Sequence, residues 1–347
     1  MSFTLVERAP MRLCRSQLFV PASRPELFAK AAAGPADVVT LDLEDSVAPA
    51  DKPTARDNLI AGLRTVDFGV KTVSMRINGL DTPWCYRDVI DVLEKGGERL
   101  DLIMVPKVGK AADLYAVDML VTQVETAVGR TKKIGLEALI ESAMGLENVN
   151  EIGGASPRLD ALHFGAADFA ASMGMRTTNI GGPNPGYLIL TDADDAGTRD
   201  RHWQDLWHYP MMRIVAAARQ HGIRPIDGPF GNYRDAEGFV AQARRSAILG
   251  CEGKWAIHPS QVPLANDVFT PPREEVERAE RIVAEMRQGH AAGRGALALD
   301  GVLIDAASIR QAEGIVRFMT MIRERESGGP KPAPETGSKP RDEKRRA

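Results

Sequence analysis

Cysteine and aromatic residues are scarce in this chain: three cysteines, Cys14, Cys85 and Cys251, and 5% Phe, Trp and Tyr among 347 residues. The cysteines are far apart, odd in number and without Cys-x-x-Cys spacing, which argues against a disulfide framework or a zinc site and fits a reducing, cytoplasmic compartment. No apolar run approaches the roughly 18 residues that a membrane span requires. Residues 1–17 lack a signal-peptide core, and Arg8, Arg12 and Arg15 give only a faint organellar-targeting pattern. A dominant charge is missing too. With 44 basic and 47 acidic residues the formal net charge is -3, so no global field draws the protein to nucleic acid or to an anionic membrane, and a small-molecule substrate is expected. There is no His-x-x-x-His pair and no Gly-x-Ser-x-Gly elbow, so zinc hydrolysis and serine chemistry recede.

What remains is an ordinary globular composition, 44% hydrophobic and 26% charged, arranged as short β-branched apolar runs alternating with stretches of helical period. Eight runs stand out: LFVPA at 18–22, VVTLDLED at 38–45, TVSMRIN at 72–78, LIMVPKV at 102–108, IGLEALIES at 134–142, ALHFGAADFA at 161–170, RPIDGPF at 224–230 and GKWAIHP at 253–259. Helical stretches between them include Pro25–Ala33, Trp84–Glu94, Ala111–Val128, Trp207–His221 and Asp235–Leu249. Eight strands with interleaved helices predict a (β/α)8 TIM barrel. The alternative, an open doubly wound sheet, lacks its glycine-rich dinucleotide turn after the first strand. We expect residues 1–271 to form the barrel, 272–326 a C-terminal helical lid extension and 327–347 a disordered tail, because Gly, Pro, Lys, Glu and Arg without apolar period dominate from Ser327 onward. The long stretch 171–206 is expected to be an ordered loop over the barrel mouth.

In such a barrel the chemistry sits where strands end. The polar residues delivered there are Glu44, Asp45, Arg76, Lys107, Glu141, Asp168, Asp227 and His258. Glu141 and Asp168 end the fifth and sixth runs, so their carboxylates converge if the strands are neighbours. A hard divalent cation relieves the repulsion of two such anions. The competing reading makes each a helix cap or an arginine partner. Glu44 and Asp45 are placed to hold metal-bound waters or orient basic groups, while Asp42 and Asp45 serve equally well as helix caps or partners of Lys52. Arg76 is a rigid forked donor for a carboxylate or an enolate oxygen, or else a structural ion pair with Glu44 or Glu141. Lys107 is expected to play a supporting role, with a Schiff base as its alternative.

Together these segments resemble the citrate lyase β-subunit and malyl-CoA lyase superfamily, the HpcH/HpaI aldolases. The resemblance is carried by RSQLFVPAS from Arg15, VTLDLEDSVAPADK from Val39, MRIN from Met75, IMVPKV from Ile103, LIESAMGLEN from Leu139, HFGAADFAAS from His163 and GKWAIHPSQ from Gly253. GASPRLDAL from Gly154, GMRTTNIGGPNPGY from Gly174, QDLWHY from Gln204 and DGPFGN from Asp227 are similar to its malyl-CoA lyase branch. The resemblance implies reversible cleavage of (S)-malyl-CoA to acetyl-CoA and glyoxylate, and of β-methylmalyl-CoA to propionyl-CoA and glyoxylate. It also implies Mg2+, with Mn2+ as a substitute, on Glu141 and Asp168, with Glu44 and Asp45 in the outer shell. Arg76 would stabilise the enolate, and Phe19, Arg24 and Lys30 would contact the CoA nucleotide of the thioester substrate. The segment DGVLIDAAS from Asp300 supplies the family's catalytic aspartate as Asp305, with Asp300 as competitor, acting on a neighbouring subunit of a homotrimer or homohexamer. A thioesterase, a citramalyl-CoA lyase and, more distantly, a class II pyruvate-type aldolase without CoA are the alternatives.

Overall fold

A computed structural model describes Val6 and residues 8–177, 179–291 and 296–327. Eight strands form a closed barrel: β1 (Ser16–Pro21), β2 (Val38–Asp42), β3 (Thr72–Arg76), β4 (Leu102–Val105), β5 (Gly135–Ile140), β6 (Leu159–Phe164), β9 (Arg224–Asp227) and β10 (Gly253–Ala256). Between β6 and β9 lies a separate antiparallel hairpin, β7 (Leu188–Leu190) with β8 (Arg201–Trp203). All eight barrel pairings are parallel, and β10 closes on β1 with Ser16 opposite Lys254 and Leu18 opposite Ala256. Each expected apolar run overlaps one barrel strand, and every strand but β1 is shorter than its run because the polar ends turn onto the C-terminal rim.

The helices in chain order are α1 (Phe28–Ala33), α2 (Lys52–Thr65), α3 (Cys85–Gly96), α4 (Ala111–Ala127), α5 (Ala143–Glu147), α6 (Val149–Gly153), α7 (Ala166–Ser172), α8 (His208–His221), α9 (Ala236–Leu249), α10 (Gln261–Phe269), α11 (Arg273–Ala291) and α12 (Ala306–Glu326). The apolar faces of α1 to α10 pack on the outer faces of the strands in one large core that includes Phe28, Leu59, Val89, Val121 and Phe239. A second, smaller cluster fills the barrel axis: Cys14, Val38, Met104, Leu139, Ala161, Ile226 and Trp255, with Phe19 packed against it. This is the filled interior expected of a TIM barrel.

The stretch 173–206 leaves α7, forms the β7–β8 hairpin and is tied down beside the rim. Gly231 N–H donates to Ile180 O at 3.0 Å, and the Trp207 indole donates to Gly182 O at 2.9 Å. Gly181 has φ +70°, and a Cβ there would lie 2.2 Å from Pro229 O, so the close approach requires glycine.

Chain contacts separate two units, one built on Cys14–Phe269 and one on Pro10–Leu13 with the segment from Thr270 onward. The second unit has its own core of Ala279, Ile282, Val283, Met286, Ile304 and Ala312 between α11 and α12. It also holds the hairpin of β11 (Leu297–Leu299) and β12 (Val302–Ile304). Asp300 and Gly301 form its two-residue turn, with φ of 53° and 75°, the double positive-φ geometry for which Asp-Gly is suited. Ser327, placed in the tail from sequence, is the C-cap of α12, and the rest of the expected tail lies outside the described residues.

Candidate active site

The rim of β2 to β6 carries a connected set of charged side chains. Asp42, the last residue of β2, grips the Arg76 guanidinium from the end of β3: Nε donates to Oδ1 at 2.7 Å and Nη2 to Oδ2 at 2.6 Å. The third nitrogen, Nη1, lies 3.0 Å from Glu44 Oε2 and 3.3 Å from Asp45 Oδ2. Burial works against the charge of Arg76, yet Asp42, Glu44 and Asp45 together hold its pKa above the ordinary range. Arg76 therefore pairs with three carboxylates of the β2 end and forms no ion pair with Glu141. The expectation that Asp42 or Asp45 partners Lys52 is also corrected. Lys52 donates instead to Leu43 O at 2.8 Å and Glu44 O at 2.7 Å.

Lys107 follows β4 with a left-handed backbone, φ 53°, unusual for a residue with a side chain. The conformation lets one residue serve two carboxylates: its N–H donates to Glu141 Oε1 at 2.8 Å and its Nζ to Glu44 Oε1 at 2.5 Å. Partial burial opposes the ammonium charge, but Glu44, Asp45 and Asp168 raise the Lys107 pKa above its usual value. An amine held protonated by Glu44 is a poor Schiff-base nucleophile, which agrees with the supporting role expected for it.

Glu141 comes directly after β5 and is 4% exposed. Asp168 is not at a strand end, as the run 161–170 implied. β6 stops at Phe164, and Asp168 sits in the first turn of α7. Gly165 lies between strand and helix, where a Cβ would fall 2.5 Å from Glu141 Cβ and 2.6 Å from its Oε2, so only glycine lets the chain pass. Glu141 and Asp168 are brought together: burial first, and the charge of Asp168 second, push the Glu141 carboxyl well above the usual carboxylate range. Among the described residues no Lys, Arg or His side chain forms an ion pair with either, and the Lys107 amide is the hydrogen-bond donor to Glu141. No group of three or more His, Cys, Asp or Glu side chains arranged to hold a metal is present among the described residues. Arg76 partly offsets the charge of Glu141 and Asp168 acts on Lys107, but no ion pair occupies either carboxylate among the described residues, which leaves two oxygen donors on this rim. That fits a hard divalent ion of the Mg2+ type, which keeps several waters and takes further ligands from substrate.

Phe19, Arg24 and Lys30 all lie on β1, the segment that follows it and α1, and Arg24 and Lys30 both act on Glu26. Phe19 lies inside the mouth, its ring 4.0 Å from that of Trp255 and 5.4 Å from the Arg76 guanidinium. Arg24 and Lys30 are exposed on the β1–α1 segment, with Arg24 paired to Glu26 at 2.5 Å. Of the other rim residues, Asp227 is tied to buried Lys254 at 2.7 Å, while exposed His258 stacks on Tyr233 at 4.6 Å.

Asp305 belongs to the second unit and is exposed. It is the N-cap of α12, its Oδ1 accepting from Ala307 N at 2.9 Å and Ser308 N at 3.1 Å. Those two amides, Ser308 first, lower its pKa. The raised basicity expected of it is absent in this arrangement. Asp300 instead occupies the β11–β12 turn and pairs with Arg281 at 2.9 Å.

Sequence reasoning missed a layer below the rim. Glu137 in β5 is 3% exposed and accepts from Ser74 Oγ at 2.6 Å and Gln17 Nε2 at 3.3 Å, with His163 Nε2 at 3.1 Å. Its only signal was a single acidic residue inside an apolar run.

A parallel barrel with paired carboxylates and a clasped arginine on its C-terminal rim defines a class of metal-assisted lyases and aldolases. The chain belongs to the HpcH/HpaI aldolase/citrate lyase family, whose model matches residues 15–259. It is 58% identical over 93% of its length to the L-malyl-CoA/beta-methylmalyl-CoA lyase of Cereibacter sphaeroides, covering 99% of that protein. It is 38% identical to the malyl-CoA/beta-methylmalyl-CoA/citramalyl-CoA lyase of Chloroflexus aurantiacus, covering 84% of this chain and 82% of that one. Among solved structures, CitE from Mycobacterium tuberculosis in complex with magnesium, acetoacetate and coenzyme A superposes with a TM-score of 0.65 at 30% identity, covering 90% of this chain and 98% of the other.

Proposed function

We propose that this protein is a divalent-metal-dependent CoA-thioester lyase that reversibly cleaves (S)-malyl-CoA to acetyl-CoA and glyoxylate, and β-methylmalyl-CoA to propionyl-CoA and glyoxylate. The observation that carries this reading is the electrostatic coupling of Glu141 with Asp168, two carboxylates in no ion pair among the described residues, on the same rim as the buried Arg76. The 58% identity to a named malyl-CoA lyase supports the choice of substrate.

Glu141 and Asp168 would hold Mg2+ or Mn2+, with Glu44 and Asp45 orienting waters around it. Bound there, the ion would polarise the carbonyl of glyoxylate as a Lewis acid. Arg76 supplies fixed positive charge where the thioester enolate oxygen develops. Of its five N–H groups, Nε and Nη2 each give one to Asp42, and Nη1 faces Glu44 and Asp45, so at least one Nη2 proton is left for substrate. Arg24 and Lys30, exposed cations of the first βα segment, would meet the CoA phosphates, and Phe19 would bound the acyl end.

Asp305 would move the proton at the acetyl methyl carbon, with residues 272–326 acting as a lid over the site of a neighbouring copy in a homotrimer or homohexamer. Closure would bury Asp305 and so oppose the Ser308 and Ala307 amides that now depress its basicity. Three buried free cysteines support a reducing, cytoplasmic setting, and among the described residues no helix is long and apolar enough to cross a membrane.

The test is to incubate the purified protein with Mg2+, glyoxylate and either acetyl-CoA or propionyl-CoA and to weigh the CoA products. Malyl-CoA or β-methylmalyl-CoA is expected. Malate with free CoA would mean a thioesterase, citramalyl-CoA formed only when pyruvate replaces glyoxylate a citramalyl-CoA lyase, and no CoA-dependent product an aldolase of the pyruvate type.

A further inference from the structure

Beneath Arg76 the barrel axis contains a hydrogen-bonded chain whose direction is fixed at one end. The Trp255 indole Nε1–H donates to His163 Nδ1 at 2.8 Å. An indole nitrogen can only donate, so Nδ1 is unprotonated and the ring's proton sits on Nε2. That Nε2–H faces Glu137 Oε1 at 3.1 Å. Glu137 also receives Ser74 Oγ–H at 2.6 Å and Gln17 Nε2–H at 3.3 Å, and Gln17 reaches Thr40 Oγ1 at 2.9 Å. The chain ties β1, β2, β3, β5, β6 and β10 together, with His163 fully buried.

At the upper end the Trp255 ring supports Phe19 at 4.0 Å, and the Arg76 guanidinium lies 5.4 Å above Phe19 and 5.9 Å from Trp255. Asp42 fixes the fork of the guanidinium from the side, and the two rings fix its height. A layer of well-packed apolar residues would stabilise the barrel at least as well as a buried carboxylate with no arginine or lysine partner. Polar residues here make sense if orientation is what they supply.

We propose that Glu137 and His163 are positioning residues for Arg76, acting through the tilt of Trp255. The catalytic consequence rests on the enolate role proposed for Arg76; the geometric one does not. Trp255→Phe keeps an aromatic ring under Phe19 and removes the donor. His163→Gln can still accept from the indole through its carbonyl and donate to Glu137 through its amide, whereas His163→Leu can do neither.

The experiment uses the full-length, metal-loaded enzyme and two readouts. Nitrogen NMR of histidine and of the arginine Nε–H should show wild-type His163 as the Nε2–H tautomer. Trp255→Phe should shift the Nδ1 signal and displace or broaden the Arg76 Nε–H signal. Lyase kinetics should show kcat reduced about tenfold in Trp255→Phe, the size of one lost hydrogen bond, with KM for the acyl-CoA little changed and the melting temperature lowered because buried His163 loses its donor. His163→Gln should recover activity that His163→Leu loses. An Arg76 signal unchanged in Trp255→Phe, or the Nδ1–H tautomer in wild type, overturns the positioning. A displaced Arg76 signal with undiminished kcat overturns its catalytic value. Absence of lyase activity in the wild type would refute the proposed function while leaving the Arg76 resonance to decide the geometry.

Discussion

Asp42 binds Arg76 through both carboxylate oxygens, at 2.7 and 2.6 Å, and neither side chain is more than 7% exposed. Removing one charge from a buried pair leaves the other uncompensated, at a typical cost of about 3–5 kcal/mol. Glu44 and Asp45 soften that loss, so Asp42→Asn is expected to lower unfolding free energy by roughly 2–3 kcal/mol, read by urea denaturation. Arg76→Lys keeps a charge and loses the fork. Its kcat should fall by about 100-fold or more, the size expected for losing one preorganised oxyanion donor, and wild-type turnover would remove Arg76 from the chemistry.

The metal-site carboxylates give a prediction with opposite signs in two measurements. Glu141→Gln and Asp168→Asn should each weaken Mg2+ binding, by titration calorimetry, at least tenfold, about 1.4 kcal/mol. Without metal each variant should melt at the same temperature as the wild type or higher, because a like-charge contact is gone. A variant that binds Mg2+ normally would exclude that residue as a ligand.

The pH dependence follows from the raised Glu141 pKa. Unfolded, Glu141 titrates near 4.5; folded and metal-free it titrates well above that. Between those two values the folded state holds the extra proton, so stability of the metal-free protein falls as pH rises through that window. Added Mg2+ should therefore raise the melting temperature more at neutral pH than at pH 5. Equal shifts at both would contradict the coupling.

Lys107 should form no imine. Borohydride reduction in the presence of glyoxylate or pyruvate should leave the mass of the chain unchanged, since Glu44 keeps the ammonium protonated. Lys107→Met should still bind Mg2+ and lose part of kcat through the freed Glu44.

Asn is a good N-cap, so Asp305→Asn should retain the α12 helix by circular dichroism while turnover drops by about 100-fold or more, at the lower end of what general acid–base catalysis contributes. Asp300→Asn, which tolerates the same turn, should keep activity and lose only the Arg281 pair. Near-normal turnover in Asp305→Asn would refute the base.

The barrel was legible in the sequence because eight short apolar runs alternate with stretches of helical period, and charged residues at the ends of the runs pointed to one rim. Two features resisted for physical reasons. The segment GAADFA joins strand to helix through small residues that suit either, so Asp168 was read one element too early. Glu137 lies within LEALI, where period two tells which residues share a face but not whether that face looks toward the barrel axis or the helices. Asp42 was assigned to Lys52 or to a helix cap, because the proximity of Arg76 is a property of strand register and not of spacing along the chain.

At position 107 the main chain, and not the side chain, steadies Glu141. Nineteen of the twenty amino acids carry that amide, and proline alone lacks it. Saturation mutagenesis there would consequently report on the link to Glu44, and the Glu141 anchor would stay hidden in every substitution but one; glycine, at ease with a positive φ, would remove the link to Glu44 and leave the amide in place.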